Sequence, residues 1–163
     1  MAKPKSRKGL GGHSSGATQR RRSRRAAHLP WHKQPKQFHM EQVAPKTWRL
    51  TFRPRVLGLN QLSRRWMFHK EKSEWKTAIS KFLFGKGTIR LKPPLLLSST
   101  LFEPNQLRDP HNIDGGAMKA LLDALVSCGI LGDDNWAWIR PPYTTTWVLE
   151  KVDPRVELTI VES

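Results

Sequence analysis

One stretch of the chain concentrates side chains able to do chemistry: Arg108-Asp109-Pro110-His111-Asn112, then Lys119 and Asp123, then the pair Asp133-Asp134. On a helix that opens near Asn112 or Ile113, Asn112, Gly115/Gly116, Lys119 and Asp123 share one polar stripe. Glycines beside Lys119 leave room for another backbone, of protein or nucleic acid, to approach closely. Asp109 stands just before this helix and Asp133-Asp134 just beyond its far end. Carboxylates gathered from separate elements are what a hard, oxygen-seeking cation such as Mg²⁺ requires. Such a cation reverses the local charge that otherwise repels a phosphodiester, lowers the pKa of a bound water and stabilises a leaving oxygen. A nearby lysine then serves as phosphate clamp or transition-state stabiliser. Each feature alone has a plainer role: Asp109-Pro110 starts a turn, Asp114 favours a helix N-terminus, Lys119 and Asp123 pair at i, i+4, and Asp133-Asp134-Asn135 is a loop. Their combination in one stretch is what points to phosphodiester chemistry.

The elements that must position these residues are legible from periodicity. Met118, Leu121, Leu122 and Leu125 form an apolar stripe on the same helix, which Gly129 is placed to end. Trp75, Ile79, Phe82 and Leu83 predict an earlier amphipathic helix from about Lys70 to Phe84, stopped by Gly85 and Gly87. Alternation predicts strands at Trp48–Phe52, Thr88–Leu91 and Leu95–Phe102 and two or three C-terminal strands among Trp136–Arg140, Thr146–Glu150 and Val156–Ile160, with Leu57–Trp66 an irregular connection. The expected fold class is α/β (α+β): a small domain over 46–163 with a single sheet, two covering helices and the order β-α-β-β-α-β-β. Trp136 and Trp138 share one face of their expected strand, suited to packing or a dimer surface, or to stacking on exposed bases.

Composition narrows the partners. The chain has 163 residues and a net charge of +16, from 29 lysines and arginines against 13 acids. Residues 1–40 hold eleven of those basic residues and no acid, leaving 18 against 13 in residues 41–163, a net of +5. A polypeptide this basic seeks polyanions, nucleic acid first among them. Residues 1–45, rich in glycine and proline and poor in aliphatic side chains, read as a disordered basic arm able to bind phosphates with release of counterions. A lone cysteine, Cys128, excludes an internal disulfide or a cysteine-based zinc ribbon. No apolar run is long enough for a membrane span, and no apolar segment of a secretory signal follows the N-terminal charges. The acid-free, arginine-rich start matches the composition of a transit peptide, but its glycines and prolines oppose the amphipathic helix such peptides form. Gly85-Lys86-Gly87-Thr88 lacks the upstream glycine and the Lys-Ser/Thr ending of a phosphate loop.

The ordered set Asp109-Pro110-His111-Asn112, Lys119, Asp123-Ala124-Leu125 and Gly129-Ile130-Leu131-Gly132-Asp133-Asp134 resembles the signature of the RusA-type Holliday-junction resolvases, crossover junction endodeoxyribonucleases of phages and prophages. That signature runs Asp-x-Asp-Asn, a lysine on the following helix, Asp-Ala-Leu, and a hydrophobic stretch ending in Asp-Asp. The resemblance is strong over about 109–140. It implies a small homodimer that binds four-way DNA junctions and nicks two strands symmetrically with Mg²⁺ or Mn²⁺. On this resemblance Asp109, Lys119 and Asp134 are the catalytic residues. Asp109 and Asp134, assisted by Asp133 or His111, hold the metal. Asn112 opens the helix, and Asn112, Arg108, Arg64, Arg65 and Lys119 meet DNA. Two departures stand out: His111 occupies the place of the second aspartate, and imidazole suits softer ions than Mg²⁺. Lys119 also follows Asn112 by seven residues, where the short motif has three.

The expected activity is therefore metal-dependent, structure-selective DNA cleavage in recombination and repair, in bacterial or phage-infected host cytoplasm. No membrane and no small-molecule cofactor are expected. The competing expectations are a catalytically weakened junction-binding or architectural protein, which His111 favours, and an RNA-binding protein, which leaves the Asp109/Lys119/Asp134 arrangement unexplained.

Overall fold

Alternating side chains build one sheet, and the register of its strands shows where the core lies. The structure, a computed structural model, describes residues 33–109, 111–114 and 116–163. Its strands are β1 (Gln37–Ala44), β2 (Thr47–Arg53), β3 (Leu95–Glu103), β4 (Ile139–Leu149) and β5 (Arg155–Glu162). Its helices are α1 (Leu59–Leu62), α2 (Arg65–Leu83), α3 (His111–Asp114) and α4 (Ala117–Ser127). The strands form a single five-stranded sheet in the order β1-β2-β5-β3-β4, antiparallel except for the parallel pair β3–β4. A parallel pair needs a crossover, and α3 and α4 supply it. The domain is thus a mixed α+β fold.

Registration aligns core residues in rows across the strands. One row runs Phe38, Phe52, Val156, Leu101 and Trp147; the next runs Met40, Leu50, Leu158, Ser99 and Thr145. The first row is closed from above by aromatic rings: Phe38 and Phe52 lie 5.1 Å apart, and Phe52 meets Trp75 of α2 edge-on at 5.3 Å. Each such pair adds about 0.5–1.5 kcal/mol beyond area burial. The expected α4 stripe of Met118, Leu121, Leu122 and Leu125 is buried in the same core. Gly129, at φ 76°, turns the chain out of that helix in the left-handed conformation glycine tolerates.

Several expectations are corrected. The domain begins before residue 46: β1 lies within the segment expected to be a disordered arm, with Phe38 and Met40 buried on β2. Only residues 1–32 of that expected arm lie outside the described residues. Thr88–Leu91 is not a strand; Leu91 is buried and its N–H donates to Ile130, but Gly87 and Pro93-Pro94 confine the segment to a short connection. The expected strands Trp136–Arg140 and Thr146–Glu150 are one strand, β4, preceded by a turn at Trp136–Trp138. Proline lacks an N–H, so Pro141-Pro142 is tolerated because β4 is an edge strand. Leu57–Trp66 holds α1 and the start of α2, which opens at Arg65 rather than Lys70. The helix expected from Asn112 onward is two helices: α3 ends at Asp114, and α4 starts at Ala117 with Gly116 as its N-cap. Glycine costs about 1 kcal/mol relative to alanine in a helix interior.

The chain before β1 is locked by a buried ion pair. Lys36 Nζ meets Glu71 Oε1 at 2.6 Å, and Trp75 Nε1 donates to the same oxygen at 3.0 Å, with both charged side chains almost fully enclosed. Lys36→Ala strands the Glu71 carboxylate in the core and is expected to cost about 3–5 kcal/mol in urea denaturation. The double replacement Lys36→Met with Glu71→Leu leaves no unpaired charge and is expected to lose much less; equal losses would refute the ion-pair account.

Candidate functional site

Lys119 sits in the first turns of α4 and is the hub of the described polar side chains. Its ammonium lies 2.8 Å from Asp123 Oδ1, one turn along the helix, and also donates to Asp134 Oδ2 from the loop before β4. Lys72 of α2 reaches the other oxygen of Asp123 at 3.4 Å. The hydrogen bonds that its ammonium donates to Asp123, and then to Asp134, raise the Lys119 pKa above the ordinary lysine value. Lys119 is therefore a cation at neutral pH, suited to stabilising negative charge and unsuited to acting as a base.

The loop carrying Asp134 is shaped by a close approach. A Cβ on Gly132 would fall 2.1 Å from Cζ2 of Trp138, so the indole lies against bare backbone there. Asp133 works within the loop: Oδ1 accepts from Asp134 N–H at 2.7 Å and Oδ2 accepts from Asn135 Nδ2 at 2.7 Å. Asn135 Oδ1 in turn accepts from Ala137 N–H at 2.9 Å. Trp136, expected to share a strand face with Trp138, is 79% exposed on the turn, while Trp138 packs against the core.

At the other end of the crossover, Asp109 is exposed and organises the start of α3. Its Oδ1 accepts from His111 N–H at 3.0 Å, and its carbonyl accepts from Asn112 N–H at 3.1 Å. The His111 residue is exposed and Asn112 half-buried. Arg108, expected at the DNA surface, turns inward instead: Nη1 donates to Glu103 Oε1 at 2.8 Å, and burial lowers its pKa against the opposing pull of Glu103. Glu103 also pairs with Arg55 through its second oxygen. Arg64 caps α2 and Arg65 begins it, both exposed; Arg65 Nε donates to His69 Nε2 at 3.4 Å.

The structure thus joins Lys119 to Asp134, and Asp109 to the backbone of His111 and Asn112. No hydrogen bond or ion pair among the described residues ties Arg64 or Arg65 to either group. The donor chemistry suits a hard cation, but among the described residues no three His, Cys, Asp or Glu side chains form a metal-holding group. As arranged, the residues expected to hold Mg²⁺ or Mn²⁺ do not make a three-ligand cage. Asp133 spends both oxygens on its own loop, and Asp134 is engaged by Lys119.

Beside Lys119 and Asp134 opens a cleft of about 390 Å³, lined by Leu97, Ser99, Met118, Leu122, Tyr143 and Thr145. Sequence reasoning missed this cleft. Its signal is the pair of hydroxyl residues, Ser99 and Thr145, at core-facing positions of otherwise apolar rows. Lys72 was missed too, because its partner Asp123 lies on another helix. No helix among the described residues is long and apolar enough to cross a membrane. No known protein-family model matches the chain, and no curated protein matches it.

Two measurements check this geometry. Asp134→Asn removes one of the two carboxylates on Lys119, and the Nζ titration followed by NMR is expected to move down toward the ordinary lysine value. The sign for stability follows: a raised lysine pKa stabilises fully below the unfolded value and is lost as pH rises through the folded one. The lysine of this pair therefore leaves stability flat near neutrality and withdraws its contribution in alkali. Gly132→Ala pushes the Trp138 ring away and is expected to cost about 1–3 kcal/mol by overpacking, seen in thermal unfolding; an unchanged melting curve contradicts the close approach.

Proposed function

We propose that this chain is a structure-selective DNA endonuclease of RusA type that resolves four-way junctions by paired nicks, encoded by a phage or prophage and acting in the bacterial or host cytoplasm. The observation that carries the reading is the Lys119–Asp134 contact. It joins two of the three residues that the resemblance assigns to catalysis, from positions fifteen residues apart. The surplus of basic charge supports a polyanionic substrate. In this reading Lys119, held protonated by Asp123 and Asp134, stabilises charge developing at phosphorus. Asp109 and Asp134 are the remaining catalytic residues. Asp133 or His111 assists as a metal ligand. Asn112, Arg64 and Arg65 approach the DNA, whereas Arg108 acts from below by fixing the segment before Asp109. A requirement for Mg²⁺ or Mn²⁺ enters the proposal from the resemblance. Two symmetric nicks need two related sites, so the working unit is a homodimer.

A second reading, junction binding without catalysis, is favoured by exposed His111 at the place where the resemblance has an aspartate. One experiment separates the two. A mobile four-way junction and a matched linear duplex are incubated with the protein and added Mg²⁺ or Mn²⁺, alongside Lys119→Ala and Asp109→Asn. Paired nicks in the junction alone are expected, with Lys119→Ala slower by about 10²–10³. Tight junction binding without cleavage under either metal overturns the enzyme reading and leaves the binder.

A further inference from the structure

The cleft beside Lys119 has a chemistry of its own. Its floor is the end of a core row: Met40, Leu50 and Leu158 give way to Ser99 and Thr145, whose hydroxyls hydrogen-bond at 3.0 Å. Ser99 is only 5% exposed. A polar residue at a core-facing position displaces an apolar one that would pack better, so it asks for a use. The walls are Leu97, Met118 and Leu122, and Tyr143, 54% exposed, stands at the open edge on β4. The two formal charges in the wall, Lys119 and Asp134, are paired with each other and sum to zero. A bare phosphate entering the cleft is repelled by the Asp134 carboxylate; a neutral flat ring is not. The volume lies within the range of roughly 300–1,000 Å³ typical of small-ligand clefts.

We propose that this cleft is a nucleobase subsite, in which an unstacked base enters between Tyr143 and the Met118–Leu122 wall and meets the Ser99 and Thr145 hydroxyls with its polar edge. Aromatic side chains hold bases without regard to sequence because every base offers a π-face. The Asp134 carboxylate accepts from amino or imino N–H groups of a base, which a neutral base supplies and a phosphate does not. The inference rests on the reading of the chain as a DNA-acting protein for its source of bases, and the cleft shares Lys119 and Asp134 with the proposed cleavage site. A free nucleoside offers the same ring as a base splayed from a strand, and the test separates these sources.

Tyr143 is the single tyrosine of the chain, so 3-fluorotyrosine gives one ¹⁹F resonance at the cleft. The full-length protein is titrated with deoxyadenosine, deoxycytidine, a short single-stranded oligonucleotide and inorganic phosphate. A saturable shift with nucleosides or oligonucleotide, and none with phosphate, is expected. Saturation at lower concentration by the oligonucleotide identifies the strand as the source, and the converse identifies the free nucleoside. In parallel, binding of a 2-aminopurine oligonucleotide is followed by fluorescence. Tyr143→Ala, at an exposed position, is expected to weaken it about 5- to 150-fold, with Tyr143→Phe close to wild type and Thr145→Val weakened. No saturable shift with any base-containing probe, an equal shift with phosphate, or full 2-aminopurine binding in Tyr143→Ala overturns the subsite. Junction cleavage with a silent resonance removes the subsite and leaves the nuclease reading, whereas a saturable shift without cleavage does the reverse.

Discussion

A single buried carboxylate governs where the site begins. Glu103 ends β3 at a core-facing position and is almost wholly enclosed, with one oxygen on Arg108 and the other on Arg55. Two guanidinium groups share this one carboxylate, buried Glu71 adds its own field on Arg108, and the Nη2 of Arg108 is buried without a hydrogen-bond partner. Desolvating charge is costly, and pairing recovers it only with good geometry. What the arrangement secures is position. Arg55 follows β2, Arg108 adjoins Asp109, and Gly58 lies over the Arg108 guanidinium, its Cβ position 3.2 Å from Nη2. The link from β3 to α3 is thereby anchored at both its ends, and Asp109 is presented to solvent from a fixed base.

The electrostatics of the hub run against those of the chain. In a polypeptide with a large positive surplus, Lys72, Lys119, Asp123 and Asp134 balance to zero, and adding Asp133 makes the neighbourhood acidic. Long-range attraction of a polyanion and local acceptance of its phosphate are therefore separate problems here. The first is solved by numbers of lysines and arginines. The second depends on which partner the Lys119 ammonium gives up.

What could be read in the sequence was whatever is encoded by local periodicity. The stripe on α4, the turn at Gly129 and the loop position of Asp133-Asp134 all depend on residues within a few positions of one another. What escaped depends on distant partners. Phe38 and Met40 alternate as a strand should, but lysine, glutamine and proline around them conceal a strand whose apolar partners lie on β2. Arg108 carries the type of a phosphate contact, and only the fold reveals Glu103 beneath it. The break between α3 and α4 was written in Gly115-Gly116, yet the polar stripe across it argued for continuity. Ser99 and Thr145 each look unremarkable in a strand; their meaning comes from the parallel register of β3 with β4.

The strand order carries a consequence for how the chain is made. Within the sheet, the hairpin β1–β2 and the crossover pair β3–β4 are joined only through β5, which lies between them although it follows both in sequence. Everything up to Arg155 can leave the ribosome while the sheet is still in two pieces. Until the final strand emerges, the facing edges of β2 and β3 offer unpaired N–H and C=O groups to any neighbouring chain. A polypeptide that stops short of Arg155 would therefore hold every residue of the hub and could not close the sheet beneath it.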